Sequence, residues 1–412
     1  MGDSVHVALF TDFHPATLGG VQTAMRSLWD GLRGLGHRVT VFCPPAPGST
    51  ATEPDIVVLD STRMSMSNGL PVVLPTRANQ RLIDAAFAER GPIDLVHTLT
   101  TYGGGIAGIR AARRHGVPTV QTMQSRDDTV IEKYSPAPYP AALTMRLLHG
   151  WFVPLRRQPP YAGDSRVARL AWRPLIAQAQ ASDRVIVPTR HFARRLAARG
   201  VDRPIHVVSN GIDDAALERA RAAVEPTLDA TAPLRALWCG RFSAEKRPLE
   251  AIEVARLVQD CTLDIYGSGP LVERVRAALT ADLTDRVRLH GEVEQSTCLH
   301  AMRTHDVLLL TSDCDTQGMV LLEAVAMGLP ILYCDPELSE TIPEDGGLRT
   351  ATPSVDSFAA ALKSLAHTRE QIPLMRKALA AHADEPRQSR HLAAIVSVYR
   401  EAIAAGLSYA GG

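Results

Sequence analysis

The chain has 412 residues, more than one hydrophobic core usually organises, so two domains are expected. Its 44 Lys and Arg balance 44 Asp and Glu, and a zero net charge with an isoelectric point near 7.2 excludes a dedicated nucleic-acid binder. No apolar run approaches the roughly 18 residues of a membrane span, the cysteines (43, 239, 261, 298, 314, 334) form no C-x-x-C pair, and a strand starts at once without a basic leader, so a cytoplasmic protein with reduced cysteines is expected.

In chain order, an apolar strand at 6–11, a loop, the pair Gly19-Gly20 and a helix with Val21, Met25, Leu28, Leu32 and Leu35 on one face form a strand–loop–helix unit of the kind that holds nucleotides. Further strands fall at 38–43, 55–59, 93–99, 118–123, 183–188 and 205–208, with an apolar patch at 71–74 and helices near 77–90 and 103–115. This alternation predicts a doubly wound parallel sheet. The polar, Ala-rich stretch 213–233 looks like a connection. Alternation then restarts with strands at 234–239, 262–266, 287–290, 307–311 and 331–334 and helices at 247–259, 270–280, 295–304 and from Gly318, before a helical tail from about 355 that ends in the Ala-rich run 391–405. The expected division is a Rossmann-like domain over 1–214, a linker over 215–233, a second Rossmann-like domain over 234–385 and a last helix over 386–412.

Ligands of open α/β sheets sit at the carboxyl ends of strands, so the loop 312–317 and the helical turn after it are placed to bind one. The amides of Gly318, Met319 and Val320 would suit a phosphate. Asp315 and Glu323 flank that turn, eight positions apart. The plain alternative is that Asp315 caps the helix and Glu323 is a solvated helical side chain. Arg241 leaves the strand 234–239, and Lys246 follows it at the start of the next helix. Lysine occurs only at 133, 246, 363 and 377, and cations at a helix N-terminus are unfavourable unless an anion arrives, so the two are expected to hold an anion. Gly19-Gly20 lets bare backbone approach a ligand, whereas Tyr266-Gly267-Ser268-Gly269-Pro270 and Asn210-Gly211 are also consistent with ordinary tight turns. No zinc spacing and no G-x-x-x-x-G-K-[ST] element is present, which excludes a zinc hydrolase and a P-loop ATPase.

Asp315, Glu323, Ala324 and Gly328-Leu329-Pro330 resemble the nucleotide-binding motif of the retaining glycosyltransferases of family 4. That resemblance implies an α/β fold of GT-B type, with two Rossmann-like doubly wound domains facing a central cleft and the last helix crossing back onto the first domain. It implies that Glu323 binds the ribose of a nucleotide-diphosphate sugar, and that Asp315, one methylene shorter than the family's usual Glu, lies near the transferred sugar. Arg241 and Lys246, matching a Gly-Arg-x(4)-Lys element, would hold the diphosphate, while Gly19 and Gly20 lie near phosphate and sugar. Gly267 sits in the matching Gly-x-Gly-Pro turn, Val293 in His290-Gly291-Glu292-Val293 marks the loop facing the base, and Asn210-Gly211-Ile212-Asp213 resembles the hinge. Gln121 and Gln124 stand where related lipid-modifying members carry two histidines; Gln124 can hydrogen-bond the transferring sugar but cannot carry charge. Asp313-Cys314-Asp315 spells a metal-binding D-x-D, but two cations and a helix N-terminus would already neutralise the diphosphate, so no metal and no cofactor is expected.

The resemblance thus implies a retaining transferase moving a hexose-type sugar from a UDP or GDP sugar to an acceptor hydroxyl. The alternatives left open are a soluble small-molecule or natural-product acceptor, a sugar-nucleotide epimerase, and a sugar-nucleotide-binding protein without turnover. For the acceptor, the stretch 145–203 matters: twelve arginines (146, 156, 157, 166, 169, 173, 184, 190, 194, 195, 199, 203) stand against Asp164, Asp183 and Asp202, interleaved with Leu147, Leu148, Trp151, Phe152, Val153, Tyr161 and Trp172. Basic charge mixed with aromatic and apolar groups fits peripheral contact with an anionic membrane surface. Thr316-Gln317-Gly318 also resembles lipid-glycosylating members, so a lipid acceptor at the cytoplasmic membrane face is expected. The plain alternative makes the aromatics core and the arginines ordinary helix surface.

Overall fold

The structure, a computed structural model, describes residues 4–17, 20–46, 53–62, 72–154, 161–222 and 232–410, without the side chains of 407–410. The chain forms two compact units, one of Met1–Ser209 with His391–Gly412 and one of Asn210–Arg390.

In the first unit the elements run β1 (His6–Phe10), α1 (Gly20–Gly34), β2 (Arg38–Cys43), β3 (Ile56–Val58), β4 (Ser61–Thr62), β5 (Val72–Val73), α2 (Arg77–Glu89), β6 (Leu95–Thr98), α3 (Gly103–His115) and β7 (Thr119–Thr122). They continue with α4 (Asp127–Tyr134), α5 (Pro138–Gly150), α6 (Arg166–Ala181), β8 (Arg184–Val187), α7 (Arg190–Ala198) and β9 (Ile205–Val207). Seven strands form a parallel sheet in the order β3-β2-β1-β6-β7-β8-β9, and β4 pairs antiparallel with β5. Helices cover both faces, which is why β1 and β6 are buried at every position. The apolar patch expected at 71–74 becomes the short strand β5, outside the main sheet.

In the second unit come α8 (Asp214–Arg221), β10 (Leu234–Cys239), α9 (Pro248–Leu257), β11 (Cys261–Tyr266), α10 (Val272–Ala278), β12 (Val287–Gly291), α11 (Gln295–Thr304), β13 (Val307–Leu310), α12 (Met319–Met327), β14 (Ile331–Tyr333), β15 (Gly347–Arg349), α13 (Val355–His367) and α14 (Gln371–Ala380). The sheet is parallel in the order β12-β11-β10-β13-β14-β15. The strand β15 is an addition to the sequence expectation. So is α8: the stretch 213–233 begins as a helix, because Asp213 caps it through the amide of Ala216 and Leu217 is wholly buried in the second core.

The last helix, α15 (Gln388–Ala410), joins the first unit from His391. Its Leu392, Ile395, Val398, Tyr399 and Ala402 pack into the core that contains β1 and α1. Tyr399 Oη and Thr122 Oγ1 both lie 2.6 Å from the ring nitrogens of buried His97, whose pKa burial, helped by nearby His391, pushes down to about 3. A neutral imidazole therefore ties the C-terminal helix to the middle of the first sheet.

Candidate functional site

Strand order sets the site in the second unit. From β10 the sheet proceeds outward through β11 and β12 on one side, and from β13 through β14 and β15 on the other, so the chain direction across the sheet reverses between β10 and β13. At such a switch point neighbouring loops diverge and leave room for a ligand at the carboxyl ends of the strands. The loop after β10 carries Arg241 and Lys246; the loop after β13 carries Asp315.

The two loops are fastened together. Thr311, just after β13, accepts the indole N–H of Trp238 at 2.9 Å, and its hydroxyl lies 2.8 Å from the carbonyl of Lys246 and 3.0 Å from that of Arg247. Arg247 takes a left-handed conformation, with φ 56°, and reaches back to the Thr311 carbonyl at 3.1 Å. Lys246 consequently sits in a short 3₁₀ turn (Ala244–Lys246), and α9 opens behind it at Pro248. This corrects the expectation that Lys246 opens the helix: what positions its ammonium is a carboxylate.

That carboxylate is Asp315. Lys246 Nζ bonds to Asp315 Oδ1. Burial acts to lower the Lys246 pKa, but the charge and hydrogen bond of Asp315 raise it above its ordinary value, so the ammonium stays charged. Asp315 Oδ2 is buried and has no hydrogen-bond partner, an acceptor left over in a side chain that is only 11 % exposed. Asp315 does not cap α12; Gly318 occupies that position with φ 79°. A Cβ added at Gly318 would stand 3.6 Å from Asp315 Oδ2, so the glycine turn and the carboxylate lie in direct contact. Met319 and Val320 form the half-exposed first turn of α12, where amides lack intrahelical partners.

Glu323 stands in the same helix and is 8 % exposed, so it is not a solvated helical side chain. Burial raises its pKa, opposed by a 2.6 Å hydrogen bond from Gln295 Nε2 on α11. Gln317 Oε1 accepts both the backbone amide and the side-chain amide of Asn210 at 3.1 Å, which makes Asn210-Gly211 an anchor for the 312–317 loop as well as a turn. Local sequence carries no signal for Gln295, Thr311 or Asn210 as supports, because their links to Glu323, to the Lys246–Arg247 turn and to Gln317 each join different elements.

Three loops at the carboxyl ends of β10, β11 and β12 are joined by backbone bonds: Gly240 N to Tyr266 O (3.0 Å), Phe242 N to Ser268 O (2.8 Å) and Gly267 N to Gly291 O (2.7 Å). Gly267 has φ 141°, and a Cβ there would lie 1.9 Å from the Gly240 carbonyl oxygen. Its place in the site is therefore to let the Arg241 loop approach. Val293 is half-buried between β12 and α11.

The other predicted residues lie in the first unit. Gly19 is outside the described residues, and Gly20 starts α1, exposed. Gln124 is half-buried just beyond β7. Gln121, in contrast, is wholly buried, accepting from Thr98 Oγ1 at 2.5 Å and donating to Thr122 O at 2.8 Å, which makes it a core residue rather than a ligand. The basic stretch divides likewise. Trp172, Val153 and Arg199 are buried, and Arg199 pairs with Asp164 while its guanidinium lies 4.2 Å from the Tyr161 ring and 4.1 Å from the Trp172 ring. Trp151 is 81 % exposed, with Tyr139, Leu147 and Leu148 also outward, while Ala142, Met145 and His149 bury the inner side of α5. Arg156 and Arg157 are outside the described residues. No helix among the described residues is long and apolar enough to cross a membrane.

Comparison with known proteins gives the family and the fold. Residues 18–216 match the model of Glycosyltransferase Family 4 and residues 233–368 that of Glycosyl transferases group 1. The chain is 24 % identical over 347 residues to a GDP-mannose-dependent alpha-mannosyltransferase of Mycobacterium tuberculosis, covering 80 % of this chain and 79 % of that one. It is 22 % identical over 363 residues to an alpha-monoglucosyldiacylglycerol synthase of Streptococcus pneumoniae, covering 82 % and 73 %. Sucrose-phosphate synthase from Thermosynechococcus elongatus superposes with a TM-score of 0.72 at 18 % identity, over 97 % of this chain and all of that one (100 %). With two parallel α/β units, a switch-point site in the second and matches to both halves, the chain belongs to glycosyltransferase family 4 and is a glycosyltransferase of the GT-B fold.

Proposed function

We propose that the protein transfers a hexose-type sugar from a nucleotide-diphosphate sugar to an acceptor hydroxyl with retention of configuration, without a metal, and that the acceptor is a lipid presented at the cytoplasmic membrane face. The observation that carries the donor assignment is the Lys246–Asp315 pair against the Gly318 turn, with one carboxylate oxygen of Asp315 unsatisfied. A diphosphate arriving here meets Lys246, Arg241 and the amides of Gly318, Met319 and Val320. Charge that grows on the leaving diphosphate is stabilised by these groups. Lys246 then divides its hydrogen bonds between phosphate and Asp315, whose oxygens hold sugar hydroxyls. Glu323 orients the ribose, Gln124 hydrogen-bonds the transferring sugar, and Gly20 belongs to the donor's phosphate end. The lipid assignment is supported by the outward apolar side of α5 and by relatives named for lipid glycosylation.

The test is turnover with UDP and GDP sugars on lipid and soluble acceptors, in the presence of a chelator, with the anomeric configuration of the product read by NMR. Released nucleotide diphosphate and a product of the donor's configuration are expected. Inversion, or a loss of activity restored by added divalent metal, would refute the mechanism; turnover on soluble acceptors alone would move the acceptor to that class.

A further inference from the structure

The strand β12 does not run evenly beside β11. Leu263, Asp264 and Ile265 pair in step with Val287, Arg288 and Leu289, and then Tyr266 pairs with Gly291, so His290 is an extra residue that the ladder leaves unpaired. A bulge of this kind loosens the local backbone and re-aims its side chain. Directly after it, the Gly291 carbonyl accepts the Gly267 amide at 2.7 Å, and Gly267 in turn lies against the Gly240 carbonyl, next to Arg241. The backbone that sets the Arg241 loop is thus carried by a point of β12 that the sheet does not fix.

Side chains make up for the missing pairing. His290 Nε2 lies 2.7 Å from Asp264 Oδ1, and the His290 ring stacks on Tyr266 with centroids 4.3 Å apart and planes 4° from parallel. The second oxygen of Asp264 lies 2.8 Å from Nε2 of His305, whose Nδ1 is 2.7 Å from the Ala301 carbonyl in the last turn of α11. Burial acts to raise the Asp264 pKa, but the hydrogen bonds and charges of His305 and His290 bring it down to about 2, so the group stays a carboxylate. A carboxylate only accepts, so each imidazole gives it an N–H. The bulge is thereby tied to the helix whose first turn carries Gln295, the partner of Glu323.

We propose that His290 is a positioning residue for the donor: its hydrogen bond to Asp264 fixes the bulge and so holds the Gly291–Gly267 joint where Arg241 reaches the diphosphate, which rests on the donor reading of Arg241. Bond and stack make opposite demands on a substitute. Glutamine can offer Asp264 an amide N–H but has no ring, whereas phenylalanine keeps a ring on Tyr266 but has no donor. A residue that only packs on Tyr266 is better replaced by phenylalanine, and one that positions through its bond by glutamine. His290 is exposed, so neither substitute has to fit a core.

Affinity of the full chain and of His290→Gln, His290→Phe and His290→Ala is measured by calorimetry with UDP, GDP, ADP and dTDP as probes, and thermal unfolding shows which variants are folded. His290→Gln should bind within about twofold of the parent, and His290→Phe about fivefold more weakly than the parent. His290→Ala, which loses both bond and ring, should lose at least as much as His290→Phe. Parental affinity in folded His290→Phe or His290→Ala overturns the proposal, as does a loss in His290→Gln as large as theirs. A parent that binds none of the four nucleotides overturns the donor reading itself.

Discussion

At the scale of single residues, the site is a balance of three buried or half-buried charges. Lys246 is charged because Asp315 outweighs the cost of its burial, while Arg241 projects from a loop fixed by backbone bonds. Lys246→Ala and Arg241→Ala should each lower kcat on the order of 100-fold or more, since each removes a charge from the leaving diphosphate. Lys246→Ala has a second effect, because it strands Asp315 as a buried carboxylate with neither oxygen bonded to the lysine. Nucleotide affinity should therefore fall further for Lys246→Ala than for Lys246→Arg. Asp315→Asn should cost more turnover than Asp315→Glu, as the amide retains shape but loses the charge that holds Lys246. Steady-state kinetics of the five variants check this, and near-parental turnover in Lys246→Ala and Arg241→Ala would remove the phosphate assignment.

At the scale of elements, the site depends on loops that approach more closely than a side chain permits. Gly267 and Gly291 both have positive φ, 141° and 76°, but their surroundings differ: a Cβ at Gly267 meets the Gly240 carbonyl, whereas at Gly291 nothing lies within 4 Å. Gly291→Ala should cost about 1 kcal/mol from backbone strain alone. Gly267→Ala adds a collision with backbone and should cost at least about 1–3 kcal/mol more, with a raised KM for the donor because the Arg241 loop must shift. Thermal unfolding of the two variants measures the difference, and equal melting temperatures would mean that the loops give way freely. Element types followed from sequence wherever apolar periodicity was strong, as in α3 and α11, whose bounds agree with expectation. The segment 124–203 was harder: α5 buries only Ala142, Met145 and His149, while α6 carries Pro174 inside it and buries ten of its sixteen residues, so neither shows in sequence the one-sided stripe that marks a helix.

At the scale of the whole molecule, surface and proton balance belong to each unit. The outward Tyr139, Leu147, Leu148 and Trp151 of the first unit have water on one side and a basic stretch nearby, so the wild type should pellet with anionic vesicles at low salt and detach as salt rises. Leu147→Glu with Trp151→Glu should abolish pelleting while donor hydrolysis persists. A wild type that stays in the supernatant at low salt would refute the membrane contact. The first unit also holds opposed proton linkages. Burial pushes Asp12 and Asp127 up to about 6, and pushes His97 and His149 down to about 3 and about 4. Between about pH 4 and 6 the folded unit holds two carboxyl protons that the unfolded chain releases, and the unfolded chain holds two imidazole protons that the folded unit lacks, so the slopes oppose each other. Asp127→Asn removes one of the carboxyl terms. Its stability relative to the parent should therefore climb with pH over that window, by up to about 1.4 kcal/mol per unit, and urea unfolding at pH 4.5 and pH 6 should show it. A difference between variant and parent that does not change with pH would contradict it.

What the sequence determined by itself was local: alternating strands and helices, the family motif with Asp315 and Glu323, the cations at 241 and 246, and the glycines between them. These are legible because each follows from neighbours along the chain, through apolar periodicity, helix ends and turn chemistry. Tertiary structure decided the rest. It set β13 beside β10, and so set Asp315 against Lys246 across 69 positions of chain. It gave Glu323 its partner in Gln295, turned Gln121, Trp172 and Arg199 into core, and left Trp151 outside. The physical reason is that pairing and burial depend on which strand lies next to which, and that order is chosen by packing of the whole sheet rather than by residues adjacent in sequence.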